Sequence, residues 1–311
     1  MKAIVCNDFG PIQNIEYKDV NEPVIQDQSV IINVKSVGVN FPDGLLVQGK
    51  YQLKPETPFI PGMEVAGEIV KIGPSVLNLK IGDRVAALSQ LSGYAEQAVV
   101  QEKSVFKIPS KMSFDDSCAL LCAYGTSHYA LKQRANLKKN ELLVVLGASG
   151  STGIAAIQIG KIMGAKVIAV SSNSEKQKIA KDNGADISIG YDNLKEELKS
   201  ISNGKGVDVI FDPVGGDIFD TVARTMARSG RLLVIGFASG TIPKLAVNLA
   251  LVKEFSVVGV FWGAFTRSEP IEYKQNMIEL FNWYKEGLLK PLIQDSYPLS
   301  EAAVVLEKIL A

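Results

Sequence analysis

The chain reads as an α/β protein: a doubly wound parallel sheet in its second part, preceded by a β-rich domain. Three observations predict this. Residues 142–145, LLVV, are an apolar, β-branched run that ends in a glycine-rich turn, GASGSTG (147–153), and passes directly into a helix pattern. From there to residue 262, strand-like and helix-like segments alternate. Before residue 122, short strand-like runs are instead separated by Pro and Gly clusters, the pattern of antiparallel strands. The length of 311 residues accommodates two domains, predicted at 1–122 and 123–264.

In the first domain the strand-like runs are AIVC (3–6), SVIINVKSVGV (29–39), EVAGEIVKIG (64–73), DRVAAL (83–88), YAEQAVV (94–100) and SVFKI (104–108). In the second, strand 142–145 is followed by a helix over 152–163 that Gly164 ends, and KVIAVS (166–171) completes a βαβ unit. A helix over 175–181, strand 187–189, a helix over 194–201 and strand 207–212 continue the alternation. A helix over 218–228 closed by Gly230, strand RLLVIGF (231–237) and strand FSVVGVFW (255–262) complete six strands. Gly147, Gly215 and Gly236 sit at strand ends and so share one carboxyl edge of the sheet, where such folds hold ligands.

The turn after the first of these strands suits a dinucleotide pyrophosphate. The free N–H groups of a helix N-terminus face the anion, and small residues let the backbone approach it. The spacing is A-x-G-x-x-G on Ala148, Gly150 and Gly153, with Gly147 making the turn and Ser149, Ser151 and Thr152 between. All six residues from Ala148 to Gly153 are cofactor candidates. At the end of the second strand, where a carboxylate would bind the ribose of NAD, the chain reads Ser171, Ser172, Asn173 and Ser174, with Lys176 close behind. A lysine and small hydroxyls suit a 2′-phosphate, so NADP(H) is favoured over NAD(H).

Composition excludes several classes. With 33 basic and 33 acidic residues there is no basic field for nucleic acid. The N-terminus lacks the apolar length of a signal peptide, and no window has membrane-spanning length. Cys6, Cys118 and Cys122 are too few for a disulfide framework, so reduced thiols and a cytoplasmic location are expected. His128, the only histidine, is read as a packed side chain rather than an acid or base. Tyr191 and Lys195 have the Y-x-x-x-K spacing of short-chain dehydrogenases, but a domain of over a hundred residues before the cofactor fold argues against that use.

VGVNFPDGLLVQGKY (37–51), PGMEVAGEIVKIG (61–73), GDRV (82–85), the GASGSTG turn and Tyr191 after the third strand carry a specific resemblance. The chain resembles the medium-chain dehydrogenases/reductases, and among them the zinc-free, ζ-crystallin-like quinone oxidoreductases. The resemblance implies a GroES-like substrate domain and a Rossmann cofactor domain, with residues 265–311 returning to the first. Zinc-dependent relatives have G-H-E where this chain has Gly62, Met63 and Glu64, and a cysteine near Asn40; the lobe of four cysteines is missing. One histidine and three scattered cysteines do not furnish a tetrahedral zinc site, so no metal is expected.

The same resemblance implies Asn40, Asp43 and Tyr51 as substrate-side residues, with Asn40, Tyr51 and Thr126 as catalytic candidates. Asn40 and Asp43 equally suit capping of a helix that starts near Pro42, and Tyr51 suits donation to a developing oxyanion. Thr126, Gly236, Phe237, Ala238, Phe261, Trp262 and Gly263 are expected on the nicotinamide side, and Tyr191 near the adenosine phosphate. Without a metal, the expected reaction is hydride transfer to a conjugated carbonyl, a quinone or, as the alternative, an enone or enoyl thioester. A non-catalytic NADPH-binding or RNA-binding protein on this scaffold is the alternative of another class. Strand 255–262, at the sheet edge, is expected to pair two copies into a homodimer.

Overall fold

The computed structural model describes residues 1–310; Ala311, the end of the predicted C-terminal helical run, lies outside the described residues. The chain divides into two compact units, one of Met1–Cys122 with Leu292–Ala311 and the other of Ala123–Pro291. The segment 265–291 therefore belongs with the second unit, and the return to the first begins at Leu292 rather than at residue 265.

In the first unit, β1 (Lys2–Val5) pairs antiparallel with β2 (Glu16–Asp19). Next come β3 (Ser29–Val37), α1 (Phe41–Val47), β4 (Glu64–Ile72), β5 (Arg84–Leu88), β6 (Gln97–Gln101) and β7 (Val105–Lys107). Strands β3 to β7 form an antiparallel sheet in the order β6-β3-β4-β5-β7. Apolar side chains on alternate positions fill one core: Val30, Ile32, Val65, Ile69, Val85 and Val100 are buried together. Helix α2 (Phe114–Ala119) packs on β3, β4 and β5, capped by Ser113, whose side chain accepts the Asp116 N–H. A π-helical stretch over Leu120–Tyr124 leads out of it. Apolar residues all round this segment account for its burial.

In the second unit, α3 (Gly125–Tyr129) and a π-helical stretch over Ala130–Arg134 precede β8 (Leu142–Val145). Then follow α4 (Ser151–Ile162), β9 (Lys166–Val170), α5 (Ser174–Asp182), β10 (Ile187–Ile189), α6 (Leu194–Ile201), β11 (Val207–Asp212), α7 (Ile218–Ala223) and β12 (Met226–Val234). The unit ends with α8 (Asn248–Lys253), β13 (Ser256–Gly259), α9 (Trp262–Ser268) and α10 (Pro270–Lys285). Among the described residues six parallel strands form one sheet, ordered β10-β9-β8-β11-β12-β13. Helices cover both faces of such a sheet, which is why β8 has all four side chains buried. The strand order turns back at β8, between β9 and β11, the point of such sheets beyond whose carboxyl ends ligands bind.

Three boundaries differ from the sequence expectation. The helix expected over 218–228 stops at Ala223, and Met226–Arg228 already belong to β12, because Met226 pairs with Val207 across a bulge. Strand β12 ends at Val234, before Gly236 and Phe237. Strand β13 covers only Ser256–Gly259; the Val260 N–H bonds Val234 (3.0 Å), and the Phe265 N–H then bonds Phe261 (3.2 Å) as α9 begins.

The last segment of the first unit ends in α11 (Ala302–Leu310), which packs on α1; a Cβ on Gly44 would lie 2.7 Å from Leu310. Among the described residues no helix is long and apolar enough to cross a membrane.

Candidate functional site

The dinucleotide turn is built by distances that only small residues satisfy. Gly147 adopts a φ of +56°, in the left-handed region, and its N–H donates to the Tyr191 hydroxyl (3.0 Å). At Gly153 a Cβ would stand 2.6 Å from the Gly147 carbonyl oxygen and 2.8 Å from Ala148 Cα, so helix and turn touch there. Gly150 differs: a Cβ would meet nothing nearer than the Gly147 oxygen at 3.4 Å. Open space beside Gly150 is the room that an approaching phosphate needs. The Ile154 N–H reaches Gly150 (2.9 Å), which leaves the N–H groups of Ser151, Thr152 and Gly153 outside the intrahelical ladder and aimed beyond the N-terminus of α4.

One strand over, Ser171 is 2% exposed and its buried Oγ has no hydrogen-bond partner. An orphaned hydroxyl at the carboxyl end of β9 suits a ligand group that would satisfy it. Ser172 beside it is exposed, and Asn173 caps α5 by accepting the Lys176 N–H (2.8 Å). Lys176 stands exposed in the first turn of α5, clear of any ion pair among the described residues. Tyr191, expected near the adenosine phosphate, accepts the Gly147 N–H of the turn itself. The turn, Ser171 and Tyr191 thus lie together around the switch point.

Further along the same edge, Asp212 ends β11, and one carboxylate oxygen accepts the N–H groups of Val214 (2.8 Å) and Gly215 (2.9 Å). Burial raises its pKa, and the two N–H groups oppose that rise. Gly236, Phe237 and Ala238 follow β12, where the Ala238 N–H bonds the Pro213 carbonyl (3.0 Å) and the Phe237 ring closes on Gly215. Thr126 lies on α3, half-buried. Phe261 is exposed at the start of α9. Trp262 and Gly263 are not a strand end, as expected, but the first residues of α9. Trp262 is buried against Gly125, where a Cβ would fall 2.5 Å from its ring, and meets Tyr273 edge-on.

In the first unit, Asn40 and Asp43 take the helix-capping alternative. Asn40 is the N-cap of α1, and its N–H donates to Asp43 Oδ2 (2.9 Å). Asp43 is fully buried and also accepts the Tyr94 hydroxyl (3.0 Å), which gives its carboxylate partners within the fold. Burial raises its pKa to about 7, against the hydrogen bonds from Asn40 and Tyr94. Tyr51 is half-buried beyond Gly49 and packs against the cluster of Ile4, Leu46 and Phe59.

The residue that sequence reasoning passed over is Glu64. Its Oε1 accepts Asn40 Nδ2 (2.8 Å) and its Oε2 accepts the Cys122 N–H (2.7 Å). Burial raises its pKa, opposed by these same donors. The signal lay in the quoted PGME block, where Met63 stands out and Glu64 does not.

Residues 26–110 match the alcohol dehydrogenase GroES-like domain and residues 151–283 the zinc-binding dehydrogenase domain. The chain is 38% identical over 314 residues to a quinone oxidoreductase-like protein 2 homolog of Nematostella vectensis, covering 99% of this chain and 86% of that protein. To the quinone oxidoreductase of Homo sapiens it is 32% identical over 314 residues, covering 100% of this chain and 94% of the human one. It matches the solved structure of Escherichia coli quinone oxidoreductase complexed with NADPH at TM-score 0.91 and 25% identity, over 100% of this chain and 96% of that one.

The second domain's description implies zinc, and the residues here do not fit it. Met63 offers a thioether in place of imidazole, and the sole histidine, His128, is buried in the other unit with Nε2 on Glu279 (2.8 Å). Among the described residues no group of three or more His, Cys, Asp or Glu is placed to hold a metal ion. With two domain matches in the expected order and full-length relatives of shared name, the chain belongs to the quinone oxidoreductase family of the medium-chain dehydrogenases/reductases.

Proposed function

We propose that this chain catalyses the NADPH-dependent, metal-independent reduction of a quinone, in which NADPH, a proton and the quinone give NADP⁺ and the quinol. The observation that carries the reading is the β8–α4 turn, open at Gly150, with the orphaned Ser171 hydroxyl one strand away. Its relatives named quinone oxidoreductase, and the Escherichia coli one complexed with NADPH, support the same substrate and cofactor.

When bound, the nicotinamide supplies the hydride; the chain's own work is binding and orientation. Ala148 to Gly153 would hold the pyrophosphate at the N-terminus of α4, and Ser171, Ser172 and Lys176 would hold the ribose and its 2′-phosphate. The last strand ends and turns, Gly236 to Ala238 with Phe261 and Thr126, would shape the nicotinamide side. Asn40 and Tyr51 would orient the substrate, Tyr51 as a donor to the oxygen that gains charge.

We also assign the functional form to a homodimer in the cytoplasm. Strand β13 is the open edge of the sheet, Val257 is 40% exposed on it, and a bare edge favours pairing with a copy of itself. Equilibrium sedimentation at micromolar concentration tests this, a monomer being the adverse result.

The function is tested by offering quinones, alkenones and enoyl thioesters with NADPH and with NADH. Quinone turnover with NADPH preferred is the expected result. Turnover confined to enoyl thioesters, or tight NADPH binding with no turnover of any acceptor, would overturn it.

A further inference from the structure

Helix α3 is a firmly held neighbour of the phosphate turn. Trp262 presses on Gly125, where a Cβ would fall 2.5 Å from its ring, and Tyr129 stacks on Phe265 with ring centroids 4.1 Å apart. His128 Nε2 is hydrogen-bonded with Glu279 (2.8 Å). These contacts hold α3 from the side of α9 and α10. Ser127, fully buried among them, serves α4 instead: its hydroxyl donates to the Thr152 carbonyl in the first turn of that helix (2.9 Å).

The Thr152 C=O and the Gly153 N–H belong to one planar trans peptide and point in opposite directions. The Ser127 hydroxyl thus meets one end of a unit whose other end is the Gly153 N–H, one of the three groups left outside the ladder of α4. A donor at the carbonyl polarises the peptide and strengthens its N–H as a donor, and a donor held in place also fixes the tilt of the plane. Folding of α4 does not require this bond. In an α-helix the same oxygen takes the N–H four residues on, here that of Ala156, and alanine is a better helix former than serine at position 127.

We propose that Ser127 is a positioning residue for the cofactor, which through the Thr152–Gly153 peptide aims and strengthens the Gly153 N–H as a donor to the pyrophosphate. This rests on the pyrophosphate lying at the β8–α4 turn and goes beyond it, because a side chain with no exposed surface acts on a ligand only through its neighbour. A cooperative gain of roughly 10–30% in one charge-assisted hydrogen bond corresponds to a change of about 1.3-fold to fivefold in Kd, and loss of the fixed tilt adds to it.

Ser127→Ala tests this, since it leaves the Thr152 carbonyl its helical donor and no bare polar group behind. The variant is titrated with NADPH and with adenosine 2′-monophosphate, which carries the 2′-phosphate but no pyrophosphate. The expected result is a Kd for NADPH raised about twofold to fivefold and a Kd for the monophosphate unchanged. Equal weakening of both ligands, the mark of a general loosening of the unit, would overturn the proposal, and so would an unchanged Kd for NADPH.

The peptide itself gives a spectroscopic reading. Thr152–Gly153 is the only Thr–Gly pair in the sequence, so carbonyl-¹³C threonine combined with ¹⁵N glycine isolates its single amide resonance. NADPH should move the Gly153 amide proton downfield in the wild type and less so in Ser127→Ala; an identical movement in both proteins refutes the link. Gly150→Ala tells the two readings apart. If neither variant alters NADPH affinity, the placement of the pyrophosphate has failed and the proposal with it; if Gly150→Ala weakens NADPH and Ser127→Ala does not, the link alone has failed.

Discussion

Gly150→Ala separates cofactor binding from folding. The backbone at Gly150, φ −74° and ψ 165°, is open to any L-residue, and the added methyl would meet only the Gly147 oxygen at 3.4 Å. Replacing Gly at a compatible site gains about 0.4–1 kcal/mol by restricting the unfolded chain. Alanine is a poorer N-cap than glycine, which takes back a similar amount. Net stability should change by no more than about 0.5 kcal/mol, a Tm shift of roughly 1–2 °C for a chain of this size. The methyl, however, occupies the open space beside the free N–H groups of α4. A displaced pyrophosphate loses one or two charge-assisted hydrogen bonds, about 1.5–3 kcal/mol each, so Kd for NADPH should rise roughly tenfold to a hundredfold or more. Calorimetric titration with NADPH beside a thermal melt reads both numbers. An unchanged Kd with an unchanged Tm would refute the placement of the pyrophosphate at this turn.

Lys176→Ala should raise KM for NADPH by roughly tenfold while leaving KM for NADH within about twofold, because only NADPH carries the 2′-phosphate; equal effects on both would remove Lys176 from phosphate recognition. Tyr191→Phe removes the acceptor of the Gly147 N–H and should lower stability by about 1 kcal/mol and weaken NADPH a few-fold, measured by melting and titration; a change in NADPH affinity with no loss of stability would argue for direct contact instead. Asp43 is pushed from 3.8 to about 7 by burial, so the folded protein keeps a proton that the unfolded chain releases near pH 4. Its contribution is present in full below pH 4 and is lost as pH rises toward 7, a span of at most about 4 kcal/mol. Denaturant titrations of wild type and Asp43→Asn should show the wild-type advantage shrinking over that window, and parallel curves would contradict the burial argument.

How much was legible in the chain follows from which forces are local. The β8–α4 turn was readable because a buried parallel strand must be β-branched and apolar, and a left-handed turn pressed against a helix must be glycine; Leu142 to Gly153 meet both demands within twelve residues. The helix over Leu194–Ile201 was readable for the same reason, its apolar residues falling on one face. The start of β12 was not. Thr225 to Arg228 contain good helix formers, and only the ladder to β11, distant in sequence, makes Met226 a strand residue. The apolar run past Gly259 hid the end of β13, because Phe261 and Trp262 suit a strand or the buried face of a helix equally well.

The candidate site divides in the same way. Residues that bind through the backbone announce themselves by their smallness. Asn40, Asp43 and Glu64 do not, because their roles depend on partners 24 residues away for Asn40 and Glu64 and 51 residues away for Asp43 and Tyr94. A capping pattern at Asn40 and Asp43 was visible, but Glu64, the partner of the Asn40 side chain, became apparent only once β4 was laid beside β3.

The central claim, hydride passage from NADPH to a quinone without a metal, is tested most directly with NADPH deuterated at nicotinamide C4, mixed with a quinone and chelator-treated protein under anaerobic conditions. The account predicts one quinol formed per NADPH consumed, at a rate that the chelator leaves unchanged and that slows several-fold for the deuterated face transferred. Turnover that appears only when zinc is added back, or NADPH oxidation without quinol, would contradict it.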